Sequence, residues 1–291
     1  MQAECEGPIT VAVRRGPFVE TALATTRILM AAQQADATLI HAAADAIAPA
    51  EVAARLGIAE PALAGFTVLP VRGEPTEAIL RAGLSLQARL IVLSLPEGHD
   101  GLGETREQVL AQAPCPLLFV PSRMARPLGA RGRLLLPMDG TPTTSAVFPL
   151  AQVFARSLHL TIETLHVAAV GATYAEAGTM TVPRFVDRPH YDWPSWRREF
   201  TYRFCDCAAS PGPHVPTQLH VLPGPPHDAI LQRAAEHPPD LIVLGWRGSL
   251  APGRALTLCG VLKASRWPVL VARMPDGAGP GEATDNAAPP C

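Results

Sequence analysis

The feature that most limits what this chain can fold into is a repeat: one pattern of apolar runs and turn residues occurs twice. Pro17 and Pro142 stand 125 residues apart, and so do His41 and His166. Further along the spacing becomes 151, shared by Gly73 and Gly224, Ile79 and Ile230, and Leu90 and Leu241. The word Leu90-Ile-Val-Leu93 recurs unchanged as Leu241-Ile-Val-Leu244, and Cys115-Pro-Leu-Leu-Phe-Val120 is answered by Trp267-Pro-Val-Leu-Val-Ala272. Two offsets that each hold across several landmarks mark a tandem duplication, with about 26 extra residues in the second copy between His166 and Gly224.

Each copy reads as five short strands separated by helical stretches. The strand segments, 9–13, 37–42, 66–71, 89–94 and 117–120, then 133–138, 160–166, 217–222, 240–245 and 268–272, are rich in Val, Ile and Leu. They are largely apolar, as expected where helices cover both faces of a parallel sheet. Amphipathic stretches such as Glu77-Ala-Ile-Leu-Arg-Ala-Gly-Leu84 and Asp228-Ala-Ile-Leu-Gln-Arg-Ala-Ala235 lie between them. Strands alternating with helices predict an α/β fold, here two tandem doubly wound five-stranded parallel sheets. The expected domains are 8–122 and 132–274, joined by a linker over Pro121–Arg131. The Gly-, Pro- and Ala-rich tail, 276–291, is expected to be disordered.

Composition narrows the function. Of the 291 residues 48% are hydrophobic and 17% charged, enough apolar surface to build a core. A net charge of −2 leaves no basic surplus for a phosphate backbone, which argues against nucleic-acid binding. The longest unbroken apolar run is Ile28-Leu-Met-Ala-Ala32, far short of the roughly 20 residues a membrane span needs. The acidic start, Met1-Gln-Ala-Glu-Cys-Glu6, does not resemble a secretory leader. Six sparse cysteines show no disulfide framework. A cytoplasmic protein is expected.

The motifs of the second copy resemble the universal stress protein family: Gly224-Pro-Pro226, Asp240-Leu-Ile-Val-Leu-Gly245 and Pro268-Val-Leu-Val271. The first copy carries Gly73-Glu-Pro75, Leu90–Leu93 and Ala113-Pro-Cys-Pro116, so the resemblance spans nearly the whole chain. It implies a Rossmann-like, adenine nucleotide alpha hydrolase-like fold. It also implies an internal pseudo-dimer in which the last strands, 117–120 and 268–272, pair. Nucleotide-binding members have an Asp after the first strand, backbone contacts to adenine after the second, and a Gly-x-x-Gly turn followed by Gly-Ser/Thr around the phosphates. Glycines let backbone N–H groups approach an anion, and the next helix adds its dipole.

On that resemblance the second copy's candidate site is Pro137, Met138, Asp139, Gly140, Thr141, His166, Val167, Gly245, Arg247, Gly248, Ser249 and Gly253. ATP is the implied ligand, with Mg²⁺ only alongside nucleotide. The distal turn departs from the family: either Gly260-Val261 or Ala255-Leu256 takes the Gly-Ser position, and neither supplies a hydroxyl. Arg247, Ser249 and Arg254 are positioned to compensate in part. In the first copy Arg14 replaces the Asp, Ser94-Leu-Pro-Glu97 replaces Gly-x-x-Gly, and Glu104 follows Gly103. That half is expected not to bind.

Several residues carry competing readings. Asp139 either caps the following helix or meets a ligand. His166 shares its place with His41 of the non-binding copy, which favours a structural role. Cys205-Asp-Cys207 lacks a second Cys/His pair with zinc spacing, so no metal is expected. Trp193, Trp196, Phe200 and Phe204 form an aromatic stripe in the insertion near 171–210, which packs on the sheet or presents a partner surface. No Gly-x-Ser-x-Gly, Gly-Lys-Ser/Thr or His-Glu-x-x-His motif occurs, and no enzyme activity is expected. Two functions follow: a stress-response protein binding ATP or a related adenine nucleotide in the second domain without fast turnover, or a nucleotide-free adaptor acting through an unknown protein partner. Either leaves room for a further homodimer.

Overall fold

The computed structural model describes residues 7–95, 102–122, 124, 127–138, 146–168, 215–251 and 255–273. The aromatic stripe, Cys205, Cys207 and the tail 276–291 lie outside the described residues.

The first copy runs β1 (Ile9–Ala12), α1 (Val19–Gln33), β2 (Ala37–Ala43), a short connection holding α2 (Val52–Leu56), β3 (Phe66–Arg72), α3 (Pro75–Ser85), β4 (Leu90–Leu95), α4 (Glu104–Gln112) and β5 (Leu117–Pro121). The second copy runs β6 (Arg133–Met138), α5 (Phe148–Ser157), β7 (Thr161–Ala168), β8 (Thr217–Pro223), α6 (Pro226–Glu236), β9 (Leu241–Trp246), α7 (Leu256–Ala264) and β10 (Val269–Arg273). All ten expected strands form, each within two residues of its expected ends.

Local chemistry sets the helix starts. Pro75 and Pro226 open α3 and α6, where a missing N–H costs nothing. Glu74 caps α3 by accepting the Glu77 N–H at 3.1 Å. That bonding, led by the Thr76 backbone, holds the Glu74 carboxyl below its ordinary pKa.

The ten strands make one sheet in the order β3-β2-β1-β4-β5-β10-β9-β6-β7-β8. Within each copy the described ladders are parallel. The single antiparallel ladder joins the copies: Val269 faces Phe119, Leu270 faces Leu118 and Val271 faces Leu117. The pseudo-dimer pairing implied by the family resemblance is therefore the sheet's central seam. It also pairs two strand edges that would otherwise invite aggregation.

Two apolar cores sandwich the sheet, and each draws on both copies. One packs α1 and α5 through Val19, Leu23, Leu29, Phe148 and Phe154. The other packs α3, α4, α6 and α7 through Ile79, Val109, Ile230, Val261 and Leu262. Phe119, fully buried on β5, belongs to the second core and meets it at the seam.

A residue near the start of β4 and of β9 fastens each copy's first strand. Asp240 is only 1% exposed, and its carboxylate accepts the backbone N–H groups of Arg131 and Arg133 at 2.9–3.1 Å. Arg89, at the equivalent position, donates from Nε to the Gly7 carbonyl at 2.6 Å. Opposite charges thus do the same job, one accepting from and the other donating to the backbone that leads into the first strand.

Candidate functional site

In each copy the strand order reverses direction between the first and fourth strands, β1 and β4 or β6 and β9. In open α/β sheets ligands lodge beyond the carboxyl ends of the strands at such a switch point. Pro137 and Met138 end β6 there, and Gly245 and Trp246 end β9, so the structure brings both halves of the expected site together.

The β6–β9 ladder carries only two pairs, Leu134 with Leu241 and Leu135 with Ile242. The β1–β4 ladder carries four, ending at Ala12 with Leu93. Ala12 is the counterpart of Pro137, and the difference follows from the proline. Arg133 points its carbonyl at β9, where it accepts the Asp240 N–H at 2.8 Å, and alternation makes Leu135 and Pro137 face β9 as well. Pro137 has no N–H to donate, so the lacing stops short of the carboxyl ends. From Val243 onward β9 is laced to β10 alone.

His166 pairs with Met138 across β6 and β7. It is 2% exposed, and its Nδ1 lies 3.0 Å from the Met138 carbonyl. A carbonyl only accepts, so Nδ1 carries the proton in this contact. His41 repeats the arrangement with Val13, at a longer 3.4 Å. Both histidines brace the end of the first strand, the structural role that their symmetry indicated. Val167 follows on β7, half-buried.

Gly248 has a φ of +89°, a conformation that suits glycine and that a side chain resists. Arg247 and Ser249 flank it, both exposed, and Ser249 Oγ accepts the Ala251 N–H at 3.4 Å. Asp139, Gly140, Thr141 and Gly253 lie outside the described residues. Helix α5 takes Val147 as its N-cap.

The structure resolves the ambiguity in the distal turn. Gly260 lies within α7, whereas Ala255 is its N-cap with φ +52°. Its counterpart Gly103 caps α4 with φ +83°. Ala255 therefore takes the N-cap position that Gly103 holds in the first copy, both with positive φ but with ψ of 25° against 144°, and Leu256 takes the hydroxyl position, 61% exposed and without a donor side chain.

The first copy's switch point is filled by its own cation. Arg106 reaches back from α4, donating from Nε to the Ser94 carbonyl at 2.6 Å and from Nη1 to the Leu102 carbonyl at 3.1 Å. Ser94 is the counterpart of Gly245, and the counterpart of Arg106 is the apolar Leu258. Burial, with Arg14 nearby, pushes the Arg106 guanidinium down to about 10.

Among the described residues no group of three or more His, Cys, Asp or Glu is arranged to hold a metal, and no helix is long and apolar enough to cross a membrane.

Residues 130–273 match the model of the Universal stress protein family. The second copy is a universal stress protein domain. No curated protein sequence matches the chain. Among solved structures, a universal stress protein from Archaeoglobus fulgidus shares 16% identity at a TM-score of 0.62, covering 93% of this chain and 97% of its own. A putative universal stress protein from Pseudomonas aeruginosa shares 17% at 0.64, covering 92% and 94%. The cytoplasmic domain of a prokaryotic cation chloride cotransporter shares 14% at 0.52, covering 91% and 94%. These likenesses span both copies and establish the tandem universal-stress-like fold. The cotransporter shows that the fold also serves within a transporter, so function rests on the site.

Two arginines near these turns were not singled out from the sequence. Arg106 occupies the first copy's turn, and Arg273 lies against Gly248 of the second. Aligning the copies flags Arg106, because its counterpart is a core leucine. Arg273 carries no such signal, since its contacts come from distant segments.

Proposed function

We propose that the chain is a cytoplasmic stress-response protein that holds an adenine nucleotide in the second copy alone, without fast turnover. The observation that carries this reading is the contrast between two equivalent switch points. In the second copy the strand ends are unlaced at Pro137, Gly248 keeps its positive φ, and Asp139 follows β6. In the first copy Arg14 stands in place of the acid and Arg106 fills the turn. Adenine is held beside Met138 and His166, ribose by Asp139, and phosphates along Gly245–Ser249 and Gly253. Mg²⁺ enters only with the nucleotide.

The test is to denature freshly purified protein and chromatograph the supernatant. The reading expects an adenine nucleotide, and none from protein carrying Asp139→Ala. An empty wild-type protein that also ignores millimolar ATP after stripping contradicts it. One observation favours a second reading, the nucleotide-free adaptor: Leu256 exposes an apolar side chain where a phosphate-binding hydroxyl is expected.

A further inference from the structure

Arg273 closes β10, and the strand register pairs it with Trp246 at the end of β9. From there its side chain lies against the turn assigned to phosphate: a Cβ built on Gly248 would stand 2.6 Å from Arg273 Nε and 3.1 Å from its Cζ. The same guanidinium crosses the seam, where Nη1 donates to the Ala111 carbonyl at 2.7 Å. Ala111 is in the last turn of α4, in the first copy, where the helix dipole favours a cation. The charge is thus set by a strand of one copy and a helix end of the other.

We propose that Arg273 is a binding residue for the phosphate chain in the second copy, and that α4 of the first copy positions it. This rests on the nucleotide reading above and adds to it the group that sets preference among phosphorylated ligands. The turn needs such a group, because Leu256, at the expected hydroxyl position, offers no donor. A guanidinium presents several N–H donors in a planar fork suited to phosphate, and the bond to Ala111 fixes the orientation of that fork. A substituent at Gly248 would push that flexible fork aside, so a side chain there would move the proposed phosphate ligand. The first copy, which lacks the features of a nucleotide site, thereby completes the site of the second.

The test is calorimetric titration of the full chain with ATP and with adenosine, for wild type, Arg273→Gln and Arg273→Lys, each checked for folding by thermal melting. Arg273→Gln should weaken ATP about ten- to a hundred-fold, as for loss of a bond to a charged group, and leave adenosine within about two-fold. Arg273→Lys keeps charge but not the fork, and should fall between the two. If Arg273→Gln does not fold, the lysine variant carries the comparison: a selective loss of ATP supports the role, and ATP affinity equal to wild type overturns it. Equal losses for ATP and adenosine also overturn it, since they mark a structural effect. Wild-type protein that binds neither ligand overturns the nucleotide reading and this proposal together, whereas binding that ignores every Arg273 variant overturns this proposal alone.

Discussion

At the scale of single residues, the two copies act as controls for each other. His41 and His166 make the same bond to the end of the first strand, so that contact cannot distinguish a binding copy from a non-binding one. Ala255 differs from Gly103 in a way that stability can measure. A non-glycine residue in the left-handed region costs roughly 1–2 kcal/mol, part of which glycine returns as unfolded-chain entropy. Ala255→Gly should therefore stabilise the protein by about 0.5–1 kcal/mol in urea unfolding; unchanged or lower stability contradicts the strain. A second prediction concerns Arg233, whose Nε bonds the carboxylate of Glu163 beneath α6, with His220 Nε2 at 3.3 Å from Nη2. Glu163 and Arg233 are both largely buried. Arg233→Met removes the arginine partner of a buried carboxylate, leaving His220 Nε2 at 3.8 Å, and should cost about 3 kcal/mol, much of which adding Glu163→Gln should restore. Equal instability of the single and double variants would show that packing, not charge, is at stake.

At the scale of elements, Pro137 and the seam are the two decisive features. Pro137 ends the β6–β9 lacing by chemistry that any sequence reader can apply, but its consequence depends on which neighbour the residue faces. Only the register supplies that. The seam depends on three facing pairs between β5 and β10, with Phe119 filling the core beside them. Phe119→Ala should cost about 3–5 kcal/mol, read as a lower midpoint in chemical denaturation. Because each core contains residues of both copies, the loss should appear as one earlier transition. Two separated transitions, with only one displaced, would show that the copies unfold independently.

At the scale of the whole molecule, the duplication and the positions of the strands were legible in the sequence. Constant offsets and short runs rich in Val, Ile and Leu define ten strands, because a parallel sheet covered on both faces leaves little choice of residue. The site was legible in part. Gly245 and Gly248 announce a turn by type and spacing, but Arg273 and Asp240 act on backbone more than a hundred residues away, and Arg106 on the strand end before its own helix. Their partners at Ser94, Ala111 and Arg131 carry no side-chain signature, since a carbonyl or an amide belongs to every residue. Ala255 was hidden for a related reason: its left-handed φ belongs to the backbone, and the nearby Gly260 offered a competing alignment. The central claim is that one switch point accepts a nucleotide and the other is filled from within. Calorimetric titration of stripped full-length protein with ATP and Mg²⁺ tests it most directly. About one site per chain is expected, lost in Asp139→Ala and kept in Arg14→Ala; two sites per chain, or one that survives Asp139→Ala, would rule out a single site in the second copy.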